Sequence, residues 1–133
     1  MSFSATRSPL QRRVKGVFIP VRDVHRARAW YRDVLELSVG EVLFGHLCCI
    51  QLEGQLDLLL DQKLTPAQSG SMVVHGGYPL FMFATEDIPA ALQFLQVKGV
   101  EVVEYNGQII QNAQWFNFKD CDGNLLMACG PSR

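Results

Sequence analysis

Residues 17–37 read VFIPVRDVHRARAWYRDVLEL, and residues 81–99 read FMFATEDIPAALQFLQVKG. Each stretch opens with a short apolar, strand-like run, reaches an aspartate, and continues with apolar residues at helical spacing. Asp23 and Asp87 stand where an N-cap is needed, because a carboxylate accepts the free N–H groups of a first turn. Behind Asp23, the residues Val24, Ala27, Trp30, Tyr31 and Val34 make one stripe; behind Asp87, Ile88, Ala91, Leu92 and Leu95 make another. Pro89 falls in a first turn, where its missing N–H costs little, and Gly99 is a natural helix stop. A strand followed by a capped helix therefore occurs twice.

Working outward, the first unit begins with a strand at Val14 to Val21 and ends with three more, at Val39 to Phe44, Leu47 to Leu52 and Gln55 to Leu60. Gly45 and Glu53-Gly54 supply the turns. The second unit repeats the order with Leu80 to Thr85, Val100 to Tyr105, Trp115 to Phe118 and Leu125 to Cys129, and Asn106-Gly107 is a tight-turn signal. The two caps lie 64 residues apart (87 − 23), which pairs Ala27 with Ala91 and Trp30 with Phe94. Gly54-Gln55-Leu56 matches Gly123-Asn124-Leu125 at 69 (123 − 54), and the five extra residues fit the hairpin around Asn106. The chain divides into an arm at 1–13, a module at about 14–61, a linker at 62–77 rich in Gly, Ser and Pro, and a module at about 78–131.

Composition narrows the function classes. Of 133 residues, 48% are apolar and 19% charged, enough to build a core and too apolar for disorder. Twelve bases against thirteen acids give a net charge of −1, which argues against a nucleic-acid or anionic-membrane binder. No apolar run approaches the roughly 20 residues of a membrane span. Cys48, Cys49, Cys121 and Cys129 form no Cys-x-x-Cys pair, and His25, His46 and His75 lie far apart, so zinc spacing is absent. The reading is of reduced cysteines in a cytoplasmic protein. Arg22, Arg26, Arg28 and Arg32 read as a solvated helix face.

The run Val17-Phe-Ile-Pro-Val-Arg-Asp-Val, followed by Ala29-Trp-Tyr-Arg-Asp-Val-Leu-Glu-Leu, resembles the opening of vicinal oxygen chelate proteins. That superfamily holds glyoxalase I, bleomycin-resistance proteins and extradiol dioxygenases. Phe116-Asn-Phe-Lys-Asp-Cys-Asp-Gly-Asn-Leu-Leu-Met is similar to its closing signature, in which Asp-Pro-x-Gly-Asn precedes the last strand. The resemblance implies an α+β fold of two tandem βαβββ modules, whose sheets form an open eight-stranded barrel-like array around a cleft. Where the resembling proteins place glycine at the end of the first helix, this chain has Glu36, which must accept a left-handed conformation or end the helix otherwise.

Strand alternation then assigns faces. Val17, Ile19 and Val21 are expected to face the first helix, leaving Gly16, Phe18 and Pro20 towards the cleft. Phe81 and Phe83 are expected to face the second helix, leaving Leu80, Met82 and Ala84 towards the cleft. On the closing strands, Leu58 and Leu60 are matched with Met127 and Cys129 as cleft residues, with Asp57 turned to the helix. The resemblance implies metal ligands on each module's first and last strand, and these fall on Gly16, Leu58, Leu80 and Met127. None of the four binds a hard cation, so neither metal nor other cofactor is expected.

Trp115, Tyr105, Phe44 and His46 border the expected cleft, where rings stack on flat ligands, and Gln108, Gln111, Asn112 and Asn117 are candidate polar groups. No Ser-His-Asp set, carboxylate pair or phosphate-cradling loop can be assembled. The expected ligand-binding residues are Phe18, His46, Leu58, Leu60, Leu80, Met82, Trp115, Asn117 and Met127, with catalytic residues unassigned. The reading is a binder that sequesters an apolar small molecule and pairs as a homodimer. Two alternatives stay open: a lyase, isomerase or dioxygenase, either with metal held by unexpected residues or by acid–base chemistry through His46, His75 or Glu101, and a non-catalytic dimeric interaction module.

Overall fold

The structure is a computed structural model that describes residues 7–64, 78–103 and 114–131. Its elements are β1 (Gly16–Pro20), α1 (Val24–Asp33), β2 (Val42–Leu43), β3 (Leu47–Leu52), β4 (Leu56–Asp61), a 3-10 turn (Gln62–Leu64), β5 (Met82–Ala84), α2 (Ile88–Val97), β6 (Val102–Val103), β7 (Trp115–Lys119) and β8 (Leu125–Cys129). Both modules thus run β-α-β-β-β. The His75 part of the linker, Tyr105, Gln108, Gln111, Asn112 and the Asn106-Gly107 turn lie outside the described residues.

Each module forms its own four-stranded sheet, ordered β1-β4-β3-β2 and β5-β8-β7-β6. The open eight-stranded array expected from the sequence is thus made of two four-stranded sheets, which do not close into a barrel. In each, the first strand pairs parallel to the last, because the crossover helix returns the chain in the same direction, and the remaining pairs are antiparallel. Both caps form as read: Asp23 accepts from the N–H of His25 and Arg26, and Asp87 from that of Ala90. At the end of α1, Glu36 takes φ 58°, so it accepts the left-handed conformation itself. Lys98, capping α2, donates to the Asp33 carbonyl at 2.9 Å and pairs with Glu36 at 3.2 Å, joining the two helix ends. The arginines of α1 find local partners: Arg28 bonds the Gly40 carbonyl, Arg32 pairs with Asp33, and Arg26 reaches the Cys121 carbonyl.

One core spans both modules. Ile19, Val21, Val24, Ala27, Tyr31, Ile50, Leu58 and Leu60 pack together in the first, and Ile88, Leu95, Phe116, Phe118, Leu126 and Ala128 in the second. A buried polar clamp ties them together. Asp120 Oδ1 accepts the backbone N–H groups of Asp122 and Asn124, both at 2.9 Å. Its Oδ2 accepts the Tyr31 hydroxyl at 2.7 Å and the Asn124 amide at 3.0 Å. Asn124 Nδ2 also donates to the Pro20 carbonyl at 2.9 Å. The Asp120-to-Asn124 turn of the second module is thus bonded to β1 and α1 of the first.

Candidate functional site

Each helix covers one face of its sheet and leaves the other open. On the first sheet, register and burial sort the strands cleanly. Ile19, Ile50, Cys48, Leu58 and Leu60 are wholly buried on the helix side. Their neighbours in sequence, Gly16, Phe18, Leu47, Cys49, Gln51, Asp57, Leu59 and Asp61, share the opposite face. On the second sheet, Leu80, Met82, Val103, Trp115, Asn117, Met127 and Cys129 share the face opposite Phe116, Phe118, Leu126 and Ala128.

This register corrects one expectation. Leu58 and Leu60 were matched to Met127 and Cys129 on the open face, but both lie in the core, paired with Val17 and Ile19 beside α1. The residue facing out is Asp57, not Leu58. The match at the turn glycines holds, yet Leu56 and Leu125, each two positions after its glycine, face opposite sides of their sheets. A shift of one residue reverses every side chain of a strand, and the match at the turn does not carry parity along the strand. Asn124 supplies the physical difference, since it is drawn into the buried clamp while its counterpart Gln55 stays in an exposed turn at φ 62°.

The remaining expected residues fall as follows. Phe18 and Met82 are on the open faces and are 56% and 60% exposed. Leu80, Trp115, Asn117 and Met127 are half-buried on the second sheet's open face. Asn117 Oδ1 is buried there with no hydrogen-bond partner. His46 sits at the far end of the first sheet, its Nδ1 2.9 Å from Asp61 Oδ1. Two apolar hollows lie along the seam between the modules, away from most of these residues. One of about 230 Å³ is lined by Leu35, Leu37, Phe83, Phe94 and Leu95 among others, and one of about 400 Å³ by Val17, Leu37, Leu52, Leu56 and Phe81 to Ala84 among others. Met82 is the one expected ligand-binding residue that lines either of these two. The seam residues Leu35 and Leu37 were missed because they follow the helix, where periodicity no longer assigns a face.

The metal positions implied by the fold can be tested against the residues present. Gly16 carries no side chain, and a Cβ built on it would lie 3.3 Å from Leu59 Cδ1, so Leu59 crowds that position. Leu80 and Met127 offer neither oxygen nor nitrogen, and Leu58 is in the core. Asp57 supplies the carboxylate nearest these positions, beside Arg13, Lys15 and Gln51 in a polar hollow of about 350 Å³, while Asp61 on the same face is taken up by His46 Nδ1 and the Lys63 N–H. One carboxylate among cations does not fit a divalent ion. Asp120, Cys121 and Asp122 approach one another within 4.8 Å, but both carboxylates already accept hydrogen bonds within the clamp and from the Arg22 N–H. The Cys121 thiol is pushed up to about 12 by burial and by both neighbouring carboxylates, which opposes the thiolate a metal needs.

Two curved sheets from tandem βαβββ units, each with an open face, define a glyoxalase-like protein. The family model for the Glyoxalase/Bleomycin resistance protein/Dioxygenase superfamily matches residues 13–128, and the chain belongs to that superfamily. Among solved structures, UcmS2 is similar over 92% of this chain and 100% of its own, with 20% identity and a TM-score of 0.73. TnmS3, an antibiotic binding protein from Streptomyces sp. CB03234, is similar over 95% and 100%, with 22% identity and a TM-score of 0.69. Lactoylglutathione lyase from Agrobacterium tumefaciens is similar over 90% and 93%, with 22% identity and a TM-score of 0.64. At these identities the likeness establishes the fold alone, and the set includes both a binder and an enzyme. No curated protein matches the sequence. Among the described residues, no helix is long and apolar enough to cross a membrane.

Proposed function

We propose that the chain is a metal-free binder that sequesters an apolar small molecule on the open sheet faces. The observation that carries this reading is the exposure of Phe18 and Met82 on those faces. Large apolar side chains left in water on a built sheet face mark an interaction surface. Half-buried Trp115 and Met127 extend that surface. Each methylene buried there adds about 0.8 kcal/mol, so a ligand burying roughly eight offsets the cost of association. The antibiotic-binding neighbour supports a sequestering role. The donor set at the metal positions supports chemistry without a bound ion.

The same exposed side chains favour a second copy of this chain as the cover, with ligands held between paired sheets. The four free cysteines are consistent with a reducing, cytoplasmic setting. The test is a thermal-shift panel of apolar compounds on purified protein, with metal analysis and light scattering alongside. The expected result is a ligand-induced rise in Tm, a metal content far below stoichiometric, and the mass of a dimer. Stoichiometric zinc, nickel, iron or manganese, or a panel without any stabilising compound, overturns the reading.

A further inference from the structure

The β2–β3 turn carries two features that the apolar surface does not explain. The first is Phe44. The turn closes with the His46 N–H donating to the Leu43 carbonyl at 3.1 Å, and its central residues, Phe44 and Gly45, have φ 54° and 75°. Gly45 adopts that conformation freely, but a bulky aromatic avoids it. Phe44 is nevertheless 84% exposed, so no burial offsets its strain. An exposed ring held in a strained backbone points to a use for the ring.

The second is His46, whose ring centroid lies 6.2 Å from that of Phe44, the planes inclined by 33°. Its backbone is held at both ends, through its N–H to Leu43 and through its carbonyl to the Gln62 N–H at 2.9 Å. Its side chain is held by Asp61, which is buried and also accepts the Lys63 N–H at 2.9 Å. A carboxylate accepts, so Nδ1 is the nitrogen that donates to Asp61, and in the uncharged imidazole this tautomer leaves Nε2 as the acceptor. Among the described residues, Nε2 has no protein partner.

We infer that this turn is a recognition patch for flat rings bearing an acidic O–H or N–H. The ligand ring stacks on Phe44, with Leu43 beside it, and its donor bonds His46 Nε2. Asp61 acts through His46 as a positioning residue, fixing which ring nitrogen accepts. The inference rests on reading the open faces as a small-molecule surface, and it narrows the ligand from apolar compounds in general to aromatic proton donors.

The test is calorimetric titration with 1-naphthol and 1-methoxynaphthalene, and with indole and 1-methylindole, which differ by the donor alone. The wild-type protein is expected to prefer each donor over its methylated partner by about ten-fold, the worth of one good hydrogen bond. In His46→Phe the preference disappears while the methylated probes still bind. In Asp61→Asn it falls without loss of fold, because the amide permits the other tautomer. Phe44→Asn weakens all four probes, and its circular dichroism stays native. Equal binding of donor and methylated probes overturns this inference and leaves the apolar-binder reading standing. Binding of none of the four overturns this inference as well, while the apolar-binder reading stands or falls with the thermal-shift panel.

Discussion

Replacing Tyr31 by phenylalanine removes one oxygen from the centre of the clamp between the modules. The hydroxyl is fully buried and donates to Asp120 Oδ2 at 2.7 Å, so no water replaces it as a donor. Asp120 keeps the Asn124 amide on the same oxygen and two backbone N–H groups on the other. The loss is therefore one bond to a charged acceptor, about 1.5–3 kcal/mol, rather than the collapse of the site. For a chain of this length that corresponds to a fall in Tm of roughly 5–12 °C. Urea titration is the assay, with the slope m expected to stay constant because the exposed surface is unchanged. A double-mutant cycle with Asp120→Asn should return a coupling of about 1 kcal/mol or more. A Tyr31→Phe loss below about 0.5 kcal/mol would refute the clamp as a source of stability.

The same pair makes a pH prediction. Burial, with the Asp120 charge adding to it, holds the Tyr31 phenol well above its usual value of 10.0. A raised folded value means the folded state keeps its proton longer than the unfolded chain does. Tyr31's contribution is thus fully present below pH 10.0 and is lost as pH rises beyond it, a loss that Tyr31→Phe should lack. Asp120 is also raised, chiefly by burial, with its hydrogen bonds from Tyr31 and Asn124 opposing the shift. Its contribution likewise falls as pH climbs from the ordinary carboxylate value of 3.8, and the stability curve of Asp120→Asn should be flatter there.

Three further outcomes test other parts of the structure. Leu58→Ala should cost about 2–5 kcal/mol in urea titration, whereas Phe18→Ala on the open face should stay within about 0.5; the reverse order would contradict the register of β4. Cys121, with its thiol at about 12, should react with iodoacetamide at pH 8 at least roughly ten-fold more slowly than in urea, as mapped by mass spectrometry. Phe44→Asn places a residue tolerant of left-handed backbone before Gly45 and should raise the urea midpoint, by about 1 kcal/mol of stability. An unchanged or lower midpoint would mean that Phe44 carries no strain.

Local information in the chain reached as far as the βαβββ repeat, both N-caps, the helical stripes and the superfamily. These follow from short-range physics: a carboxylate before a helix, apolar residues at 3.6 or 2 positions, glycine in turns. The face of β4 did not follow, because a strand has only two faces and one residue decides between them. Leu58 and Asp57 are neighbours in sequence, and pairing with β1 alone places the first in the core and the second outside. The clamp was equally hidden. Asp120 and Tyr31 are far apart along the chain, and their hydrogen bond exists only because the two modules dock. The sequence by itself determined the repeat and the kind of fold. Tertiary packing decided which side chains reach the open faces, since that choice depends on strand register and module contact, which no local pattern records.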